Sequence, residues 1–365
     1  MQTTFIIVIL LLGFLITFQI AKASEYVAVM RGEEKSRKQN NRINAFLLLA
    51  FLILGLIGVY YCNERLGGKI LYFGSLISGT PSSAASNHGV HIDRMMEITF
   101  YITGFVFFVT QIVLFWFAFK YQESDNRKAF FYPHNNKLEV IWTAIPAIAL
   151  TIMVGFGLYY WFGITGSAPE NAMEVEVTGS QFKWEFRYPG ADGKLGKKYF
   201  RQINEGANNP LGQVWEDSTN KDDIYIPPGD PLHLVVNKPV KLVINAKDVI
   251  HDVGLSHFRL KMDAVPGTPT TMWFTPTVTT AEMKKRNGDP DFVYEISCDQ
   301  MCGQGHFGMR GTIIVESQED FDLWMASQKP KFYLAFPEKD PSLLKAKADT
   351  ANKTAPLTVV TQQKK

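Results

Sequence analysis

Four stretches of this chain, Met1–Ala21, Ile43–Asn63, Ile98–Phe119 and Val140–Pro169, carry no charged side chain. Each runs for about 20 residues or more, the length that crosses a hydrocarbon core as a helix. Soluble cores have little use for such runs, and four of them in the first half of 365 residues imply a multi-pass membrane protein. The last run is longer than a span requires and is expected to leave the membrane near Phe162. Charge then sets the direction. Six basic residues lie between Lys22 and Arg42 and four between Lys120 and Lys137, against three in the longer Glu64–Glu97 segment. Basic loops stay in the cytoplasm, so both chain ends and everything after Ala168 are expected outside. A competing reading takes Ala21-Lys22-Ala23 as a signal-peptidase site. The missing basic segment ahead of the first apolar run argues against it, as does the cytoplasmic C-terminal domain that cleavage would produce.

Composition changes near Glu170. From there to Lys329 the chain has 23 Asp and Glu against 17 Lys and Arg, while the whole carries +2. An acidic domain therefore sits beside basic membrane-flanking segments. VEVTGS, KWEFRY, DIYIP, LHLVV, VKLVINA, TMWFTP, FVYEIS and GTIIVE are short β-branched and aromatic runs punctuated by Pro and Gly, which predict a β-sandwich or barrel. Pro189–Asp223, charged and rich in Gly and Asn, reads as an insertion loop, and Gln318–Gln328 has helical spacing. The expected organisation is two transmembrane helices with a basic cytoplasmic loop in 1–63, an external loop in 64–97 and a transmembrane hairpin in 98–165. The β domain follows in 170–330, and a flexible Lys/Ala/Thr-rich tail in 331–365. No C-x-x-C-H occurs, so no haem c is attached to the chain.

Within the β domain, CDQMCGQGHFGM, residues 298 to 309, gathers soft and borderline metal donors on one short loop. Thiolate and thioether are soft and imidazole suits copper, so Cys298, Cys302, His306 and Met309 select copper over magnesium or calcium. Zinc accepts two Cys and two His but has little use for a thioether. A second imidazole is available at His251, where the strand VINAKDVIHDVGL ends. Two bridging thiolates, one terminal His on each metal and two weak axial donors, Met309 sulfur and a backbone carbonyl of the Cys loop, describe a copper pair that shares one electron. Asp248 stands three residues before His251, placed to orient it through hydrogen bonds. Two plainer readings stand beside this one: a Cys298–Cys302 disulfide, since the domain is outside the cytoplasm, and a zinc site. Cys62, at a membrane border, reads as a small apolar filler.

From about Met95 to Ala326 the chain resembles subunit II of the cytochrome c oxidases, the CuA-containing subunit of the haem-copper oxidase family. Three segments carry the resemblance, in order and spacing: LEVIWTAIP at 138–146, KDVIHDVGLSHFRLKMDAVPG around the first His, and the copper loop CDQMCGQGHFGM. The two spans before residue 64 are extra to the family's two-helix pattern and preserve its parity. The resemblance implies a cupredoxin-like Greek-key barrel outside the cytoplasm on a membrane hairpin, in a bacterial inner membrane. It implies a dinuclear copper centre, CuA, with His251 and Met309 on one copper, His306 and the Gln300 carbonyl on the other, and Cys298 and Cys302 bridging. The implied partners are subunits I and III and cytochrome c or another external donor, with no nucleic acid. The implied activity is that of the electron-accepting subunit of a proton-pumping oxidase that reduces oxygen to water on subunit I.

Two departures matter. The family usually has Glu at the position of Gln300; a neutral amide is a poorer ligand for a hard cation, which puts the magnesium site at the subunit I interface in question. The family's Gln-Trp-aromatic-Trp run is here Gln181-Phe182-Lys183-Trp184, so Phe182 occupies the position where electrons commonly arrive, with Trp184 as a second candidate; both rings equally read as strand packing. The resemblance places Glu139 at the mouth of the proton path, although a carboxylate in a first helical turn also suits the helix dipole. Asp252, Asp263, Glu295 and Asp299 are candidates for steering a basic cytochrome, each with a plain solvated-charge reading. A nitric oxide reductase CuA domain remains open as a relative. A nitrous oxide reductase lacks the membrane hairpin, a quinol oxidase subunit II lacks the Cys and His set, and a copper chaperone needs neither Glu139 nor LEVIWTAIP.

Overall fold

The computed structural model describes residues 32–65, 83–124 and 126–344, with part of 13–30. Most of the Met1–Ala21 run, residues 75–82 of the Gly/Ser-rich stretch, the Cys62 side chain and residues 345–365 lie outside the described residues. Three long helices have their bounds among the described residues: α1 (Glu33–Arg65), α2 (Asn87–Lys120) and α3 (Asn136–Thr165). All three are long and apolar enough to cross a membrane and carry their apolar side chains outward. The loop expected over 64–97 is shorter than its bounds, because α2 begins at Asn87. Ser86 caps that helix, its Oγ accepting from Gly89 N at 2.9 Å, so the helix outruns the charge-free stretch that marks only the hydrocarbon.

The chain divides into two compact units, one helical (1–80 and 95–153), the other containing the β domain (81–94 and 154–365). In the helical unit α1 runs antiparallel to α2. Arg37 and Asn41 meet Glu123 at 3.3 and 3.1 Å, while Phe46 packs on Phe119 and Phe51 on Phe115 further along. The basic end of α1 thus lies beside the basic end of α2, the arrangement that positive-inside loops require.

The second unit is a two-layer β structure. Its strands are β1 (Met173–Ser180), β2 (Lys183–Tyr188), β3 (Ile224–Ile226), β4 (Leu232–Val235), β5 (Val240–Ala246), β6 (His251–Leu255), β7 (Leu260–Ala264), β8 (Thr270–Phe274), β9 (Tyr294–Cys298) and β10 (Arg310–Glu316). Helix α4 (Thr280–Asn287) follows β8; α5 (Gln318–Ser327) and α6 (Lys331–Ala335) follow β10. One sheet has the order β3-β2-β1-β5-β8 and the other β4-β10-β9-β6-β7. Among these ten strands, β1–β5 and β10–β4 pair in parallel and the other pairs are antiparallel. In β5 and β9 buried and half-buried residues alternate, as expected of strands with one face on a core. That core includes Val175, Val177, Phe186, Leu242, Ile244, Val253, Phe274 and Ile296.

Most of β1 and β2 is buried on both faces, and the reason is the 189–223 segment. The sequence reads this segment as a loop. It folds down over the outer face of these strands, where Glu176, Glu185 and Arg187 would otherwise meet water. Arg187 Nε donates to Glu176 Oε2 at 2.6 Å, and its Nη1 donates to Asp223 Oδ2 at 2.7 Å and Gly196 O at 2.9 Å. Lys198 also pairs with Glu176, and Lys247 with Glu185. Burial pushes the Asp223 carboxyl up to about 6 against the opposing pull of Arg187. Residues 331–344, expected as part of a flexible tail, are instead folded, and α6 packs onto this cover. Lys331 N donates to Asp223 O at 2.9 Å, its Nζ to Asn208 at 2.7 Å, and Phe332 is buried edge-on to Trp215.

Replacing Arg187 by Met strands buried carboxylates, so the β domain is expected to lose roughly 3–5 kcal/mol in urea unfolding. Asp223 supplies a separate check. Its folded pKa of about 6 exceeds the 3.8 of the free group, so its contribution to stability is fully present below about 4 and lost as pH rises to 6. Between these pH values wild type is expected to lose stability relative to Asp223→Asn, measured as the difference between two unfolding series.

Candidate metal centre

Strand pairing builds the centre. β6 pairs with β9, with Val253 opposite Cys298, which places His251 at the end of one strand near the thiol that ends the other. Residues 299–309 then loop back before β10. Cys298 N donates to Met309 O at 3.0 Å and closes the loop's base. A 3-10 turn, His306–Gly308, carries the second imidazole. Gly303 has φ +136°, a conformation that L side chains rarely adopt, so the turn after Cys302 requires glycine.

The sulfurs of Cys298 and Cys302 are 3.7 Å apart, and both thiols are free and buried. A disulfide needs about 2.05 Å. His251 Nδ1 is 3.8 Å from Cys298 Sγ, His306 Nδ1 is 3.7 Å from Cys302 Sγ, and Met309 Sδ is 3.9 Å from Cys302 Sγ. The Gln300 carbonyl oxygen is 3.1 Å from Cys298 Sγ. The donor atoms of His251, Cys298 and Cys302 all lie within 4.8 Å of one another. Two thiolates bound to one ion at about 2.3 Å with a tetrahedral angle stand about 3.7 Å apart, so the sulfur spacing fits a shared metal. All six expected donors therefore converge. Among them Met309, 1% exposed, would have no task in a zinc site of two Cys and two His.

The nitrogens that face the sulfurs are free to bind because the others are occupied or turned away. His251 Nε2 lies 2.8 Å from Asp248 Oδ1, an acceptor, so the proton sits on Nε2 and the Nδ1 lone pair faces Cys298. Asp248 also accepts from Gln181 N at 2.7 Å and Val249 N at 2.7 Å. Partial burial works against its charge, yet these hydrogen bonds and His251 hold its carboxyl below the usual range. Gln181 in turn donates from Nε2 to Cys302 O at 2.6 Å, linking the His251 side of the centre to the Cys loop. Burial and the neighbouring Cys298 push the Cys302 thiol up to about 11, so a bound cation is needed to hold that sulfur ionised. The Gln181 bridge was invisible in the sequence beyond its place ahead of Phe182.

The aromatic candidates separate. Phe182, 38% exposed, lies on the copper-type loop: a Cβ on Gly305 would overlap its ring, and one on Gly303 would sit 2.9 Å from its Cζ. Trp184 is 2% exposed, edge-on to His251 at 6.1 Å between centroids, so it is an interior contact and not a surface one. Glu139 is exposed in the first turn of α3, with Asn135 N 3.4 Å from its Oε1. The acidic set does not act as one exposed group. Asp252 is 5% exposed, in register with Asp263, and Glu295 pairs with Arg310 at 3.2 Å; Asp263 and Asp299 remain at the surface. Asp248→Asn keeps the shape but removes the charge that fixes the His251 tautomer. Metal affinity is expected to fall about 10–100-fold, read by competition with a chelator.

Residues 78–159 match the family model described as the transmembrane domain of cytochrome c oxidase subunit II, and 173–318 its periplasmic domain. An alternative cytochrome c oxidase subunit 2 of Bradyrhizobium diazoefficiens is 37% identical over 67% of this chain and 82% of its own. Cytochrome c oxidase subunit 2 of Cereibacter sphaeroides is 27% identical over 64% and 74%. Among solved structures, the periplasmic domain of cytochrome oxidase subunit II of Bradyrhizobium japonicum covers 46% of this chain and 99% of its own, at 23% identity and a TM-score of 0.31. With both halves matched in order and the periplasmic match enclosing the metal donors, the chain belongs to the cytochrome c oxidase subunit II family.

Proposed function

We propose that this subunit of a terminal oxidase is the one that accepts electrons, through a dinuclear copper centre held by His251, Cys298, Cys302, His306, Met309 and the Gln300 carbonyl. When bound, the copper pair supplies a one-electron relay between an external cytochrome c and the haem of subunit I, where oxygen is reduced to water and protons are pumped. The observation that carries this reading is the convergence of two unlinked thiols, two imidazoles and a thioether within 4 Å steps. The protein's own part is to hold the donors rigid and dry. Asp248 fixes the His251 tautomer, Gln181 fixes the Cys302 carbonyl, and burial of Cys298, Cys302 and Met309 keeps water from the sulfurs. A centre that barely rearranges suits electron transfer better than bond making.

Phe182, lying on the loop, is the point where electrons arrive, and Trp184 beneath it supports His251. Glu139 marks the entrance of the proton path. Subunits I and III are the membrane partners, α2 and α3 form the family's hairpin, and the spans before it are additional. The setting is a bacterial inner membrane with the copper domain on the periplasmic side. Gln300 lacks the carboxylate that would hold magnesium, so no cation is assigned there.

The full-length chain, loaded with copper and purified in detergent, is expected to hold two copper ions whose mixed-valence paramagnetic spectrum shows hyperfine coupling to both nuclei. A single copper ion, or a Cys298–Cys302 disulfide in the assembled oxidase, would overturn the reading. Cys302→Ser is expected to abolish the shared spectrum, and Met309→Leu to keep it while shifting its potential.

A further inference from the structure

His251 is supported from two sides, by Asp248 Oδ1 at 2.8 Å from its Nε2 and by Trp184, whose ring stands edge-on to it at 6.1 Å between centroids. The residues next to these two in the chain, Lys247 and Glu185, form an ion pair. Its atoms, Lys247 Nζ and Glu185 Oε2, are buried, and among the described residues neither has another hydrogen-bond partner. Glu185 is 0% exposed, and its second oxygen, Oε1, accepts from Tyr225 Oη at 2.7 Å. Side chains alternate along β2, so Trp184 enters the core beside His251 while Glu185 lies under the 189–223 cover. The backbone joins the same two regions. Lys247 N donates to Gly179 O at 3.0 Å, and a Cβ on Gly179 would stand 3.1 Å from the His251 ring. The strand end that anchors Lys247 is thus packed against the imidazole. A buried ion pair is a poor source of stability, because desolvation of both charges offsets their attraction and an apolar pair of similar volume does as well. A role beyond folding therefore suits this one.

We propose that Lys247 and Glu185 are positioning residues of the metal centre: their pairing fixes the turn from Ala246 to Asp248, and through it His251, and their opposed charges set the reduction potential of the bound copper. This rests on the copper-binding, electron-accepting role proposed above. Reduction lowers the positive charge of the site, so a nearby cation favours the reduced metal and a nearby anion the oxidised one. Away from water such effects are screened little by salt. With both partners in place they oppose each other, and removing either charge exposes the other.

The test compares reduction potentials of the copper-loaded, full-length chain in detergent at a single slightly alkaline pH. Glu185→Gln keeps the shape and an acceptor for Tyr225 but leaves the Lys247 cation unopposed. Lys247→Gln keeps a donor to Glu185 but leaves the carboxylate unopposed. The first is expected to raise the potential and the second to lower it, each by about tenfold in the reduction equilibrium, or ~59 mV for one electron. The double variant carrying both substitutions, and Lys247→Arg, are expected to stay within about twofold of wild type. Opposite signs separate a charge effect from a folding effect, and each single variant tests the proposal alone if the other fails to fold. A folded single variant with a lower urea midpoint and an unchanged potential would overturn the proposal, as would shifts of the same sign in both. Failure of the underlying role shows separately, as a wild-type chain without a copper-pair spectrum.

Discussion

The pairing of β6 with β9 is the constraint on which the metal centre depends. His251 and Cys298 are separated by 47 positions in the chain, yet antiparallel register across Val253 and Cys298 brings the imidazole to 3.8 Å from the thiol. A one-residue slip would turn His251 to the outer face, because side chains alternate along a strand. Two sheets of five strands, closed over an apolar core, hold that register. The loop then contributes the remaining donors locally, within twelve residues.

Around the centre the protein spends polar groups on rigidity. Asp248 accepts from a backbone N–H on each of two segments and from His251, and Gln181 reaches from the same hub to the Cys302 carbonyl. The donors are thus held from both strand ends and from the loop that follows β1. An analogous strategy appears on the far side of the β1–β2 pair, where Arg187 binds two buried carboxylates and ties the 189–223 segment down. Lys247 joins the two regions in sequence: its side chain pairs with Glu185 and its neighbour is Asp248. Charges buried without such partners would be costly, and each of these carboxylates has a cationic or N–H partner.

Much of the site was legible because its donors are chemically unusual. Two cysteines, a histidine and a methionine in one glycine-rich loop have few other uses; His251, read as the end of the strand VINAKDVIHDVGL, instead opens β6 after β5 stops at Ala246. Several features were not legible. Asp252 and Asp299 look equivalent in sequence, yet Asp252 lies on β6, between β9 and β7, and is buried, while Asp299 stands in the loop after β9 and is left in water. Trp184 and Phe182 are two positions apart on an extended stretch, but only Phe182 reaches the surface of the loop. The segment 189–223 has the composition of a loop and behaves as a cover, since its ion pairs are made with strands distant in the chain.

What the sequence determined by itself was what local chemistry dictates: uncharged runs long enough for a bilayer, alternation that demands strands, and donor types that demand a soft metal. Tertiary structure alone decided which nitrogen of His251 faces the sulfurs, which acids are buried, where α2 begins, that α6 packs on the 189–223 segment, and which aromatic ring is left in solvent. These depend on contacts between residues tens to hundreds of positions apart, and no periodicity in the sequence records such contacts.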